Sequence, residues 1–136
     1  MKAEGTYKVK KWDEKSYEEM SAEMKMTKAS VEYSLEGEIE GTAFLEYLMF
    51  YKYFDQNDPH KSSAVYTGLM KFEGKLQGKE GSFVIEDKGK FDNGLADSSL
   101  QIISGSGLGG LKGITGTGKY IADKDGARIS LEYTYK

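Results

Sequence analysis

Asn93-Gly94, set between two alternating apolar–polar segments, constrains this chain more than any other feature. Both residues tolerate positive φ, as a two-residue hairpin turn demands, so the pair fixes two strands and their register together. Counting outward, Phe91 faces Ala96, Asp87 faces Leu100 and Ile85 faces Ile102. On the other side Lys90 meets Asp97 and Glu86 meets Gln101. One face is mostly apolar and the other polar, the pattern of an antiparallel sheet covered on a single side.

Further turn signals extend the sheet in both directions. A four-residue loop at Gln77-Gly78-Lys79-Glu80 sets Phe72 opposite Ile85 and Met70 opposite Asp87. It turns the same residues of the shared strand inward. A turn at Asp125-Gly126 pairs Tyr120 with Leu131 and Gly118 with Tyr133. A turn at Gly37-Glu38 pairs Tyr33 with Thr42 and Ala29 with Glu46, with Thr27, Ala29, Val31, Tyr33 and Leu35 facing inward. That register leaves Leu45, Tyr47, Met49 and Tyr51 on the outer wall, an apolar stripe of a kind rarely left in water. It leads to the expectation of a homo-oligomer, dimer or trimer, joined through those four residues. A strand near residues 4–12 comes first, and Ser16-Tyr17-Glu18-Glu19 fits a capping box, so a short helix is expected between Asp13 and Glu23. Residues 52–63 form the longest loop.

Seventeen Gly against one Pro, spread through the strands, suit a sheet that must bend sharply. The expected fold is therefore all-β, residues 1–136 forming one closed antiparallel barrel of about eight strands, of the lipocalin-like kind. The absence of Cys removes disulfides, thiolate metal sites and cysteine nucleophiles. The net charge of −3, with both signs interspersed, argues against a nucleic-acid partner. With no apolar run near 18 residues, no membrane span is expected, and the expected location is the cytoplasm.

Two glycine motifs invite nucleotide readings. Gly105-Ser106-Gly107-Leu108-Gly109-Gly110 fits GxGxxG, but that motif works between a strand and a helix. Gly113 to Lys119 fits most of a P-loop, yet Tyr120 stands where Ser or Thr should follow. Both read better as bending barrel segments. His60, the single histidine, sits in a polar loop with Asp55, Asn57 and Asp58. No metal site, cofactor or catalytic residue is assigned. The candidate ligand site rests on Glu46 and Asp87, carboxyls falling on apolar faces, where burial is costly unless they are paired. Gly68 beside them leaves room in the wall, and Tyr66 and Tyr133 supply hydroxyls.

Trp12-Asp13-Glu14-Lys15, Tyr47-Leu48-Met49-Phe50-Tyr51, Phe72 to Gly78, Gly81-Ser82-Phe83-Val84 and Ser104-Gly105-Ser106-Gly107 occur in this order. Together they resemble an uncharacterised bacterial family, a domain of unknown function with an allene-oxide-cyclase-like barrel, over nearly the whole chain. The resemblance implies a barrel open to a small apolar ligand, and often an oligomer. It does not carry the cyclase reaction, whose sites include a cysteine. The expected function is binding of a small apolar or amphipathic ligand inside the barrel. An isomerase or cyclase using a buried carboxyl, and a solid barrel without ligand, are the alternatives.

Overall fold

In the computed structural model, which describes residues 1–136, nine antiparallel strands form one sheet and there is no α-helix. They are β1 (Lys2–Glu19), β2 (Lys25–Gly37), β3 (Ile39–Tyr53), β4 (Ser63–Leu76), β5 (Lys79–Asp92), β6 (Leu95–Ile102), β7 (Leu108–Gly109), β8 (Ile114–Asp123) and β9 (Gly126–Tyr135). Successive strands pair as hairpins, β6 passes over β7 to pair with β8, and β9 returns to β1 through Ala3 opposite Leu131. Eight strands thus hydrogen-bond in a ring, with β7 a two-residue addition to β5. In the eight ring strands the buried apolar residues turn into the ring. Phe72, Phe83, Ile85, Leu100, Ile102 and Leu131 are all buried there.

The Asn93-Gly94 register is as expected, with Asp92 opposite Leu95 and Asn93 and Gly94 both at positive φ. Two other turns are tighter or displaced by one residue. Gln77 and Gly78 alone make the β4–β5 loop, both at positive φ, so Phe72 faces Phe83 and Met70 faces Ile85. Lys124 and Asp125 make the last loop, so Tyr120 faces Ile129 and Gly118 faces Leu131. Each slip is two residues along the partner, which keeps every side chain on its expected face.

The β2–β3 turn is different, because its slip is a single residue. Tyr33 faces Ala43, Val31 faces Leu45 and Ala29 faces Tyr47. Leu45, Tyr47, Met49 and Tyr51 are consequently interior and buried. The outer stripe on which self-association was expected does not exist, and the outward set is instead Phe44, Glu46, Leu48 and Phe50. The cause lies outside the hairpin. The Glu38 amide donates to the Glu4 carbonyl, and the Glu4 amide donates to Glu38 Oε1 at 2.9 Å. This ties the loop to β1 and buries Ile39, a constraint that local alternation does not carry.

The helix expected between Asp13 and Glu23 is also absent, because β1 runs on to Glu19 against β2. A bulge after Val9 bends it, and past Thr6 it pairs with β2 alone. The sheet therefore opens between the outer half of β1 and the start of β9. The opposite end is closed by the glycine-rich connection through β7. Leu111 and Ile114 from that segment are fully buried, and a Cβ on Gly81 would meet Leu111 at 3.1 Å. No helix is long and apolar enough to cross a membrane.

Candidate functional site

At the open end the inward faces of the strands leave a pocket of about 300 Å³. β1 contributes Val9 and Trp12, and β3 contributes Tyr47, Met49 and Tyr51. Tyr33, Tyr66, Phe91, Ala96 and Tyr120 come from five further strands. The loop after β3 adds Phe54, Pro59 and His60 at the rim. This loop is ordered by its own polar groups. Asp55 Oδ1 accepts from the Asn57 and Asp58 amides at 3.0 Å, and Asp58 accepts from the His60 amide at 3.2 Å. Those side chains are thereby spent on turn geometry.

The wall is aromatic for a structural reason. In-register neighbours across β3, β4 and β5 are Tyr47, Gly68 and Asp87. A Cβ on Gly68 would lie 2.8 Å from the Tyr47 ring, so the glycine gives that ring its place against the wall. Gly89 does the same for Tyr66, whose hydroxyl a Cβ there would meet at 2.6 Å. The space these glycines leave is filled by tyrosine. Tyr47 and Tyr66 meet edge to face at 5.1 Å between centroids, and Trp12 lies 6.5 Å from Tyr47.

Beneath the pocket lies a buried polar layer. Tyr47 donates to Asp87 Oδ2 at 2.6 Å, Tyr66 and Ser98 share a bond of 2.6 Å, and the Tyr33 and Tyr120 hydroxyls share one of 3.0 Å. Tyr7 stacks on Tyr120 at 4.3 Å. The Tyr7 hydroxyl and Asp87 Oδ1 have no hydrogen-bond partner. Asp87 is fully buried, with no lysine or arginine bonded to it. Loss of solvent pushes its carboxyl above its ordinary value, and hydrogen bonding, chiefly from Tyr47, pulls back only in part. Burial likewise raises the phenols, Tyr33 to about 12 and Tyr7, Tyr47, Tyr66 and Tyr120 above their ordinary value. All of them are neutral hydroxyls at physiological pH.

Near the rim one carboxylate organises the wall. Glu14 accepts from the Trp12 indole at 2.9 Å, from the Thr27 hydroxyl at 2.7 Å and from the Tyr51 hydroxyl at 2.9 Å. Three strands are tied at that point, and two of the three donors line the pocket. Lys25 completes this edge, with its ammonium 3.6 Å from the Phe54 centroid and 5.5 Å from that of Tyr51.

The structure brings Asp87, Tyr66 and Gly68 together but separates the other two expected site residues. Glu46 points outward and accepts from the Ser30 hydroxyl at 2.6 and 2.9 Å. The one-residue slip of β3 put it on the exposed face. Tyr133 lies at the closed end, where it bonds Gln77 and packs edge-on against Tyr135 at 5.7 Å. The two-residue slip of the last hairpin leaves it inward but far along the strand. Sequence reasoning missed Tyr47 and Tyr51 through the β3 register, Trp12 through the bulge after Val9, which shifts the inward face of β1 by one residue, and Glu14 through the helix expected from Asp13. Their signal was the alternation of Trp12 and Glu14 on one face, which the bulge sets one residue out of phase with Tyr7 and Val9. No group of three or more His, Cys, Asp or Glu side chains comes together as a metal site.

A family model described as a protein of unknown function, DUF3224, matches residues 3–135. A solved structure of similar fold is that of a protein with unknown function from the same family in Shewanella oneidensis MR-1, determined at 1.84 Å. It superposes with a TM-score of 0.75 at 19% identity, covering 100% of this chain and 98% of that one. No curated protein matches the chain.

Proposed function

The chain belongs to the DUF3224 family, and from that premise we propose that it is a small-molecule-binding module, a barrel plugged at one end that takes an apolar or amphipathic ligand at the other. The observation that carries this reading is the aromatic pocket of about 300 Å³ at the open end. That volume stands at the lower edge of the usual range for ligand sites, roughly 300–1,000 Å³. Mostly apolar walls with a few placed polar groups are the ordinary chemistry of such sites. Burying apolar ligand surface there contributes roughly 25 cal/mol per Å² before the cost of association.

Binding is favoured over catalysis by the position of Asp87. A general acid or base must reach the reacting proton within hydrogen-bond distance or through one water. Asp87 is fully buried behind Tyr47 and does not line the pocket. An isomerase or cyclase would have to route protons through the Tyr47 hydroxyl, itself a neutral phenol held well above its ordinary value. A solid barrel accounts for the closed half, where Phe72 and Phe83 pack at 5.2 Å, but not for the open end.

The test is a titration with N-phenyl-1-naphthylamine, whose emission rises in apolar surroundings. One saturable site per chain is expected. Ala96→Trp, which fills the pocket from the β6 side, should abolish it while leaving the fold intact by circular dichroism. No saturable emission from the wild-type protein, or equal binding by Ala96→Trp, contradicts the reading.

A further inference from the structure

Resting on the proposed binding pocket, we infer that its ligand carries a compact organic cation, a substituted ammonium group seated among the Trp12, Tyr47, Tyr51 and Tyr66 rings. Aromatic faces are electrically negative, and cages of such rings attract ammonium groups by about 0.5–1 kcal/mol per contact when exposed and about 2 kcal/mol or more when desolvated. These rings line the concave space at the open end, with Tyr47, Tyr51 and Tyr66 buried in its wall and Trp12 half exposed.

Three further observations point to the same sign of charge. Asp87 lies behind Tyr47 with one carboxyl oxygen unpartnered and no lysine or arginine bonded to it. Burial holds that carboxyl towards its protonated form, and a cation on the near side of the Tyr47 ring would favour its ionised form. Glu14 places a second carboxylate at the rim, bonded to Trp12 and Tyr51. Of the pocket-lining side chains only His60 can carry positive charge, and it belongs to the exposed loop. An anionic ligand would find no guanidinium or ammonium among the side chains that line the pocket.

Choline and 3,3-dimethylbutan-1-ol have nearly the same shape and differ in charge, so they isolate this claim. Trp12 is the only tryptophan and lies in the pocket, so its indole N–H resonance reports occupancy directly. The expected result is a dissociation constant for choline at least tenfold below that of the alcohol, with 3,3-dimethylbutanoate the weakest of the three. In Asp87→Asn the choline advantage should shrink while affinity for the alcohol holds. Equal or tighter binding of the alcohol by the wild-type protein overturns the cation, and needs no variant to fold. Should N-phenyl-1-naphthylamine bind while choline leaves Trp12 unmoved, the pocket stands and the cation falls. Should neither bind, the pocket reading itself fails.

Discussion

Tyr47 reaches Asp87 across a glycine. The two residues sit on β3 and β5, their hydroxyl and carboxyl 2.6 Å apart, and the strand between them presents Gly68 at the crossing point. A side chain at Gly68 would displace the ring, so one missing Cβ permits the bond that anchors the pocket floor.

Gly68→Ala tests that dependence. The new methyl group would stand 2.8 Å from the Tyr47 ring and closer still to the Glu46 carbonyl. Overpacking of this kind costs typically about 1–3 kcal/mol. The urea midpoint should fall accordingly, and the Tyr47 ring resonances should move. An unchanged midpoint would mean that the wall yields freely.

Asp87 gives stability a pH dependence of defined sign. Its folded value is raised, so in the window above about pH 4 the native state holds a proton that the unfolded state has released. Its contribution is present at low pH and is lost as pH rises through the folded value. Asp87→Asn removes the ionisation and keeps an acceptor for Tyr47. Its stability relative to the wild type should therefore improve from pH 4 to pH 7, by about 1.4 kcal/mol for each pH unit separating the folded from the unfolded carboxyl. Paired urea curves at the two pH values decide it, and a constant difference contradicts the assignment.

Glu14 is predicted to hold the pocket wall rather than to contact ligand. Glu14→Ala leaves the Trp12 indole, the Thr27 hydroxyl and the Tyr51 hydroxyl without their shared acceptor. Trp12 fluorescence anisotropy should fall and its emission shift to the red. Global stability should drop by about 1–3 kcal/mol, because the half-exposed Trp12 indole reaches water but the fully buried Thr27 hydroxyl loses its acceptor. Unchanged anisotropy would show that packing alone fixes the indole.

At the closed half, Phe83 is the most direct probe of the core. It is fully buried against Phe72. Phe83→Ala should cost about 3–5 kcal/mol, read from denaturant unfolding, and a loss below about 1 kcal/mol would contradict the packing.

Much of this architecture was legible from hairpins whose turn residues are chemically specific. Asn93-Gly94 fixed one register outright, and the slips at Gln77-Gly78 and Lys124-Asp125 were even-numbered, so Phe72, Phe83 and Leu131 kept their faces. The β2–β3 turn failed because its geometry is set by a non-local bond from Glu38 to Glu4. That one-residue error moved Tyr47, Met49 and Tyr51 out of the site and Glu46 into it. The helix expected after Asp13 failed for a similar reason. Pairing with β2 outweighed a local capping pattern, and with it went Glu14, while Trp12 was lost to the bulge after Val9. Asp87 was legible because a carboxyl on an apolar face stands out against its neighbours. Its true partner was not, since Tyr47 meets it across an intervening strand.

The central claim is that the open end of the ring receives a ligand, and a crystal structure with N-phenyl-1-naphthylamine tests it most directly. The account predicts the naphthyl ring inside the pocket, between Trp12 and Phe91 and above the Tyr47–Asp87 bond. A pocket filled by the protein's own side chains, or the probe bound only on the outer face, where Leu48 of β3 and Leu69 of β4 are exposed, would contradict it.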